Sequence, residues 1–178
     1  RRRRLDAQLE SIRRLGAATA CLPENRLYGV MERGLLASAD RALDVSGCAR
    51  GFSAEKRERV KAALRRFAHE IWRAVCGEKN DGQVRALAEG VRSLVSSGVA
   101  PSDPEAQGTI RGLVVSMADG FAGDDDMIAL LVRSLARFLH EEENGVPVEL
   151  AFGRGSFAYL GDAVSVLVVA DANGNGLG

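Results

Sequence analysis

SAEKRERVKAALRRFAHEIWRAVC, residues 53–76, is the stretch that decides the fold. Val60, Leu64, Phe67, Ile71 and Val75 recur every three or four positions, and charged residues fill the places between. That period lays one apolar stripe along a helix with 3.6 residues per turn. Ser53 has the hydroxyl that an N-cap needs, and Gly77 is a natural stop. A striped helix must be covered by other elements, and the chain on either side of it reads as more helices.

Toward the N-terminus, a helix is predicted from Glu24 to Val45, with Pro23 suited to its first turn. Leu27, Val30, Met31, Leu35 and Leu43 form its apolar side, while Gly29 and Gly34 weaken it. Ser46 to Gly51 breaks the pattern. Earlier still, Arg2 to Ala20 places Leu5, Leu9, Ile12 and Leu15 on one stripe. Such a helix is roughly 27 Å long at about 1.5 Å per residue. Alone it is marginal in water, so it needs a partner, either its own domain or a second copy.

Toward the C-terminus, Asp81 can cap a helix carrying Val84, Leu87, Val91, Leu94 and Val95, which ends at Gly98. In GVAPSDPEAQ, residues 98–107, Ser102 and Glu105 have capping-box spacing and Pro104 sits in the first turn. The helix that follows buries Ile110, Leu113, Val114, Met117 and Phe121. Asp124 opens the next, with Asp125 and Asp126 at its positive dipole end and Met127, Leu131, Leu135, Phe138 and Leu139 as its stripe. Gly145 is expected to end it, and Pro147 to Gly155 reads as a connector with room for one helical turn. A last helix is expected from Ser156 to about Ala170 through Phe157, Leu160, Val164 and Leu167. Its SVLVVAD end is β-prone, but no partner strand is visible, so helix is retained. The expected fold is all-α: a globin-like or orthogonal bundle of six to seven helices behind an N-terminal amphipathic helix. The expected divisions are that helix at 1–22, a helical domain at 23–172, and a flexible tail at 173–178.

The 178 residues are 46% hydrophobic and 27% charged, as in ordinary globular proteins. Formal net charge is zero, so the chain as a whole is no electrostatic trap for nucleic acid or acidic membrane. Arg1 to Arg4 read as a solvated leader or as a phosphate contact. The chain starts without Met, which implies upstream sequence. Cys21, Cys48 and Cys76 make no CxxC pair, and reduced thiols in a cytoplasmic protein fit best. No apolar run nears the roughly 20 residues that span a bilayer, and no signal peptide is visible.

Residues that carry chemistry are few. His69-Glu70 lacks the second His of a zinc protease helix, and His140 suits a helix end as a cation. Asp119 and Asp124 to Asp126 lack the alternating ligands of a calcium loop. Gly153-Arg154-Gly155-Ser156 precedes a helix, a place where backbone N–H groups can hold an anion, but it has no phosphate-loop lysine. There is no GxSxG elbow. No metal, cofactor or catalytic activity is therefore expected. Trp72, the single tryptophan, reads as a core anchor or as the wall of an apolar ligand cavity.

The order of pieces is similar to a known family. RLDAQLESIRRL, residues 4–15, resembles the dimerisation helix that follows the DNA-binding head of MerR-family transcription regulators. VRALAEGVRSLVSSGVAPSDPEAQGTIRGLVVSMADGFAGDD, residues 84–125, resembles the middle of their TipA-like effector domains, with Phe121, Gly123 and Asp124 in a characteristic break. SFAYLGDAVSVL, residues 156–167, is weakly similar to the final helix of that domain. The resemblance implies a haem-free, globin-like effector that binds a hydrophobic small molecule and forms a homodimer through residues 1–22. DNA would be contacted only through a head outside this chain. Under that reading Phe67, Trp72, Met117, Phe121 and Phe138 are the candidate pocket lining, although each also sits on a core stripe. The alternative is a helical adaptor that docks on another protein and has no small-molecule ligand.

Overall fold

A computed structural model of the chain describes residues 25–45, 52–75 and 83–172. They form seven α-helices: α1 (Asn25–Val45), α2 (Ala54–Val75), α3 (Gln83–Ser97), α4 (Pro104–Met117), α5 (Asp125–His140), α6 (Gly145–Phe152) and α7 (Ser156–Ala172). A short 3-10 turn, Glu142–Asn144, joins α5 to α6, and there is no strand among the described residues. The all-α class expected from the apolar stripes is the class observed. The amphipathic segment 1–22, the Asp81 cap, the Gly77 stop and the tail 173–178 lie outside the described residues.

The centre of the bundle is α5, which packs on α1, α2 and α7. Its stripe is wide because it has neighbours on several sides. Met127, Leu130, Leu131, Val132, Leu135, Phe138 and Leu139 are all buried. Ser134 is buried with them, and its hydroxyl donates to the Leu130 carbonyl at 2.7 Å, so no polar group is left unpaired there. α7 lies against α5 and buries Phe157, Leu160, Ala163, Val164 and Leu167. Leu167 belongs to the SVLVVAD end, residues 165–171, which is helical. Tertiary packing overrides the β preference of its valines.

α1 runs antiparallel to α2. The ring of Tyr28 meets His69 edge-on at 6.1 Å, Glu32 pairs with Arg65, and Asp40 pairs with Lys61 at 2.6 Å. Of the stripe expected on α1, Met31, Leu35 and Leu43 are buried, but Val30 points to solvent. Val30 is one position from Met31, and adjacent residues on a helix face different ways.

Three local features differ from the sequence expectation. The N-cap of α4 is Asp103, not Ser102: its carboxylate accepts from the Glu105 N–H at 2.9 Å. Pro104 fixes the reason, because it occupies the first helical position and the cap is the residue before it. Gly145 does not end α5, which stops at His140; Gly145 opens α6. The expected connector at 147–155 is largely this helix, and Pro147 is accommodated in its first turn, where an N–H has no helical acceptor. Phe121 is buried, but it belongs to the turn after α4 and not to the helix.

Candidate functional site

Three helices meet imperfectly on one side of the bundle. α2 presents Ala63, Arg66, Phe67 and Glu70, a spacing that keeps all four on one face. α3 contributes Ala86, Leu87 and Gly90, and α4 contributes Thr109, Gly112, Leu113, Ser116 and Met117, with Asp119 just beyond its end. Together they line a half-open groove of about 540 Å³. That is within the range of small-molecule sites. Phe67 and Met117 are buried at its base, and Leu87 and Leu113 are half-buried on its walls.

The groove exists because its helices carry small residues where they face each other. A Cβ at Gly112 would meet nothing within 4 Å, and one at Gly90 would make only ordinary contact with Thr109 at 3.7 Å. Neither glycine is needed for a tight approach, yet each costs its helix up to about 1 kcal/mol relative to alanine. The sequence contained this signal as mid-helix glycines. It was hidden because stripes are read from large residues.

The far end of the groove is held by α2. Arg66 donates to the Met117 carbonyl at 3.3 Å, and Arg59 donates to the Gly120 carbonyl. Lys56 pairs with Asp124 at 2.6 Å. Asp124 is also the N-cap of α5, accepting from the Met127 N–H at 3.1 Å. Its hydrogen bond to Lys56, helped by the Met127 N–H, holds its carboxyl below the ordinary value. The same contact raises the Lys56 ammonium above the ordinary lysine range. Positive charges on this face of α2 are thus engaged by carbonyls and a carboxylate. Glu70 and Asp119 on the rim have no ion pair or side-chain hydrogen bond among the described residues.

Of the five residues expected to line a pocket, the structure brings Phe67 and Met117 together at this groove. Phe138 is 1% exposed in the α5 core, beside Gly34 of α1. Phe121 is buried in the turn after α4. Trp72 packs half-buried against the core. Among the residues that line the groove without having been expected to line a pocket are Ala63, Leu87, Gly90, Gly112, Glu70 and Asp119.

The other places considered for chemistry have structural occupants. The Gly153–Ser156 turn does hold an anion, and it is internal: the Glu149 carboxylate accepts from the Gly155 N–H at 2.6 Å and the Phe157 N–H at 2.9 Å. Gly153 and Gly155 both have positive φ, which lets the chain fold back over Glu149. His140 at the end of α5 lies with Nδ1 2.7 Å from the Ala136 carbonyl. Among the described residues no three His, Cys, Asp or Glu side chains are grouped to hold a metal ion. No described helix is long and apolar enough to cross a membrane. Comparison with family models, curated proteins and solved structures finds no match to this chain.

Proposed function

We propose that this chain is a ligand-sensing helical domain that binds a hydrophobic small molecule in the groove between α2, α3 and α4. The observation that carries the reading is the groove itself: an apolar base of Phe67 and Met117, kept open by Gly90 and Gly112, which the packing of the chain does not require. In the wider reading, residues 1–22 pair two copies of a transcription regulator, and bound ligand biases the conformation that reaches a DNA-reading head. A ligand does this only if it binds one conformation more tightly than the other.

Thermal unfolding of the chain against a panel of apolar antibiotics and metabolites tests the first step. Saturable stabilisation is expected, reaching about 2.7 kcal/mol at a hundredfold excess over Kd. Met117→Ala should weaken that stabilisation, whereas Val115→Ala, at an exposed position of α4, should leave it unchanged. No stabilisation by any compound would overturn the reading. The groove is open along one side, which favours one alternative, an adaptor that takes a partner helix there.

A further inference from the structure

We infer that the groove selects amphipathic cations: an apolar body against Phe67 and Met117, and a positive group toward the carboxylates of Glu70 and Asp119. The inference rests on the groove being the ligand site. It adds the charge of the ligand, which the apolar base leaves open.

The rim has three charged side chains, Arg66, Glu70 and Asp119. They are not equivalent. Arg66 is committed to the Met117 carbonyl, at the negative end of the α4 dipole, where its charge is offset by the helix terminus. Arg59 is committed nearby, to the Gly120 carbonyl. Glu70 and Asp119 have no such partner among the described residues. Glu70 is partly buried and Asp119 is exposed, and both line the groove that Phe67 and Met117 floor. An anionic ligand would meet two carboxylates that make no ion pair among the described residues, against one rim guanidinium already bonded to a carbonyl. A neutral ligand would gain nothing from them. A cation would complete the rim, with its apolar part still free to cover Phe67, Leu87 and Met117.

Three probes of one shape separate charge from apolar contact: 1-naphthylmethylammonium, 1-naphthylmethanol and 1-naphthylacetate. Their binding to the full chain is measured by equilibrium dialysis at low salt, for the natural sequence and for Glu70→Gln with Asp119→Asn. The expected order is cation, then neutral, then anion. Partly exposed pairs are modest, so an advantage of about fivefold for the cation over the alcohol is expected, shrinking as salt is added. The double variant should bring the three probes together without lowering the affinity of the alcohol. Equal binding of the cation and the alcohol by the natural sequence, or a preference that survives the double variant, overturns the inference and leaves the groove as an uncharged apolar site. Binding of none of the three overturns the groove reading as well.

Discussion

Gly34 of α1 and Gly112 of α4 both sit in the middle of helices, where glycine is a poor choice, and they sit there for opposite reasons. A Cβ at Gly34 would lie 2.5 Å from Asn144 Oδ1 and 3.2 Å from the Phe138 ring. The glycine is the space that α5 and the turn after it occupy. Asn144 cannot easily yield, because it is buried and its amide donates to the Phe138 carbonyl at 2.9 Å and to Glu141 at 3.3 Å. Glu141 in turn pairs with Arg41 and accepts from Ser38. Gly161 of α7 is of the same kind, with the Leu139 carbonyl 3.2 Å from its missing Cβ. Around Gly112 there is only open groove. In one region glycine lets helices close on each other, and in the other it leaves the space between them unfilled. The first kind belongs to folding, and the second, on the proposed reading, to the ligand.

The contrast is most exposed to test at two phenylalanines. Phe138 is enclosed on all sides, so Phe138→Ala should cost about 3–5 kcal/mol in denaturant unfolding. Phe67 is also buried, but it borders the groove, and the space left by Phe67→Ala would open to solvent. Its cost should be roughly half as large, because an open space is not a trapped cavity. Equal losses at the two sites would mean that the groove is packed like the core.

Gly34→Ala comes next. Helix propensity alone favours it by about 1 kcal/mol. The clash with a pinned Asn144 opposes that, and a net loss of about 1–3 kcal/mol is expected, as for other overpacked sites. A shift in urea midpoint without a change in slope would identify it as a stability effect. A stabilised variant would show that Asn144 moves freely, and the close approach would lose its meaning.

The two regions also differ in how far the sequence discloses them. The core could be read because a covered helix must have a stripe. Val60, Leu64, Phe67 and Ile71 on α2, and Met127, Leu131, Leu135 and Phe138 on α5, are buried as their spacing requires. Caps were readable where one residue does the work: Ser53 accepts from the Lys56 N–H, and Asp124 from the Met127 N–H. Glu149 was not readable as the cap of α7, because the link depends on α6 folding back through two left-handed glycines. The groove was least readable of all. A gap is made by what three separate helices lack at Ala63, Gly90 and Gly112, and no single-helix period records that. Phe67 and Met117 were named for their size and chemistry, not because the groove was foreseen.

Between the regions, the turn from Ala118 to Asp124 is held by charge as well as by burial of Phe121. Asp124→Ala should cost about 1 kcal/mol through the lost N-cap. Unlike a core loss, this one should depend on pH. The carboxyl is lowered in the folded chain, so its contribution is complete above the ordinary Asp value of 3.8 and disappears as pH falls through the lower folded value. The raised Lys56 bounds the other side: its share is complete below 10.5 and is lost as pH rises through the folded value. The difference in stability between natural and variant chains should therefore be flat near neutrality and narrow in acid. A difference that persists unchanged below the folded value would assign the loss to packing.

Gly112→Ala is expected to have the smallest effect, and its sign is opposite to that at Gly34. The added methyl meets no atom within 4 Å, so nothing opposes the gain in helix propensity and the loss of unfolded-state freedom. A stabilisation of about 0.5–1 kcal/mol is expected. The same methyl protrudes into the groove, so the more stable protein should bind a groove ligand less tightly. Those two results together would set function against stability at one atom. A destabilised variant would mean that α4 needs Gly112 for its own packing, and the distinction between the two glycines would fail. A stabilised variant with unaltered ligand affinity would leave Gly112 out of the contact surface and place the ligand nearer Phe67 and Leu87.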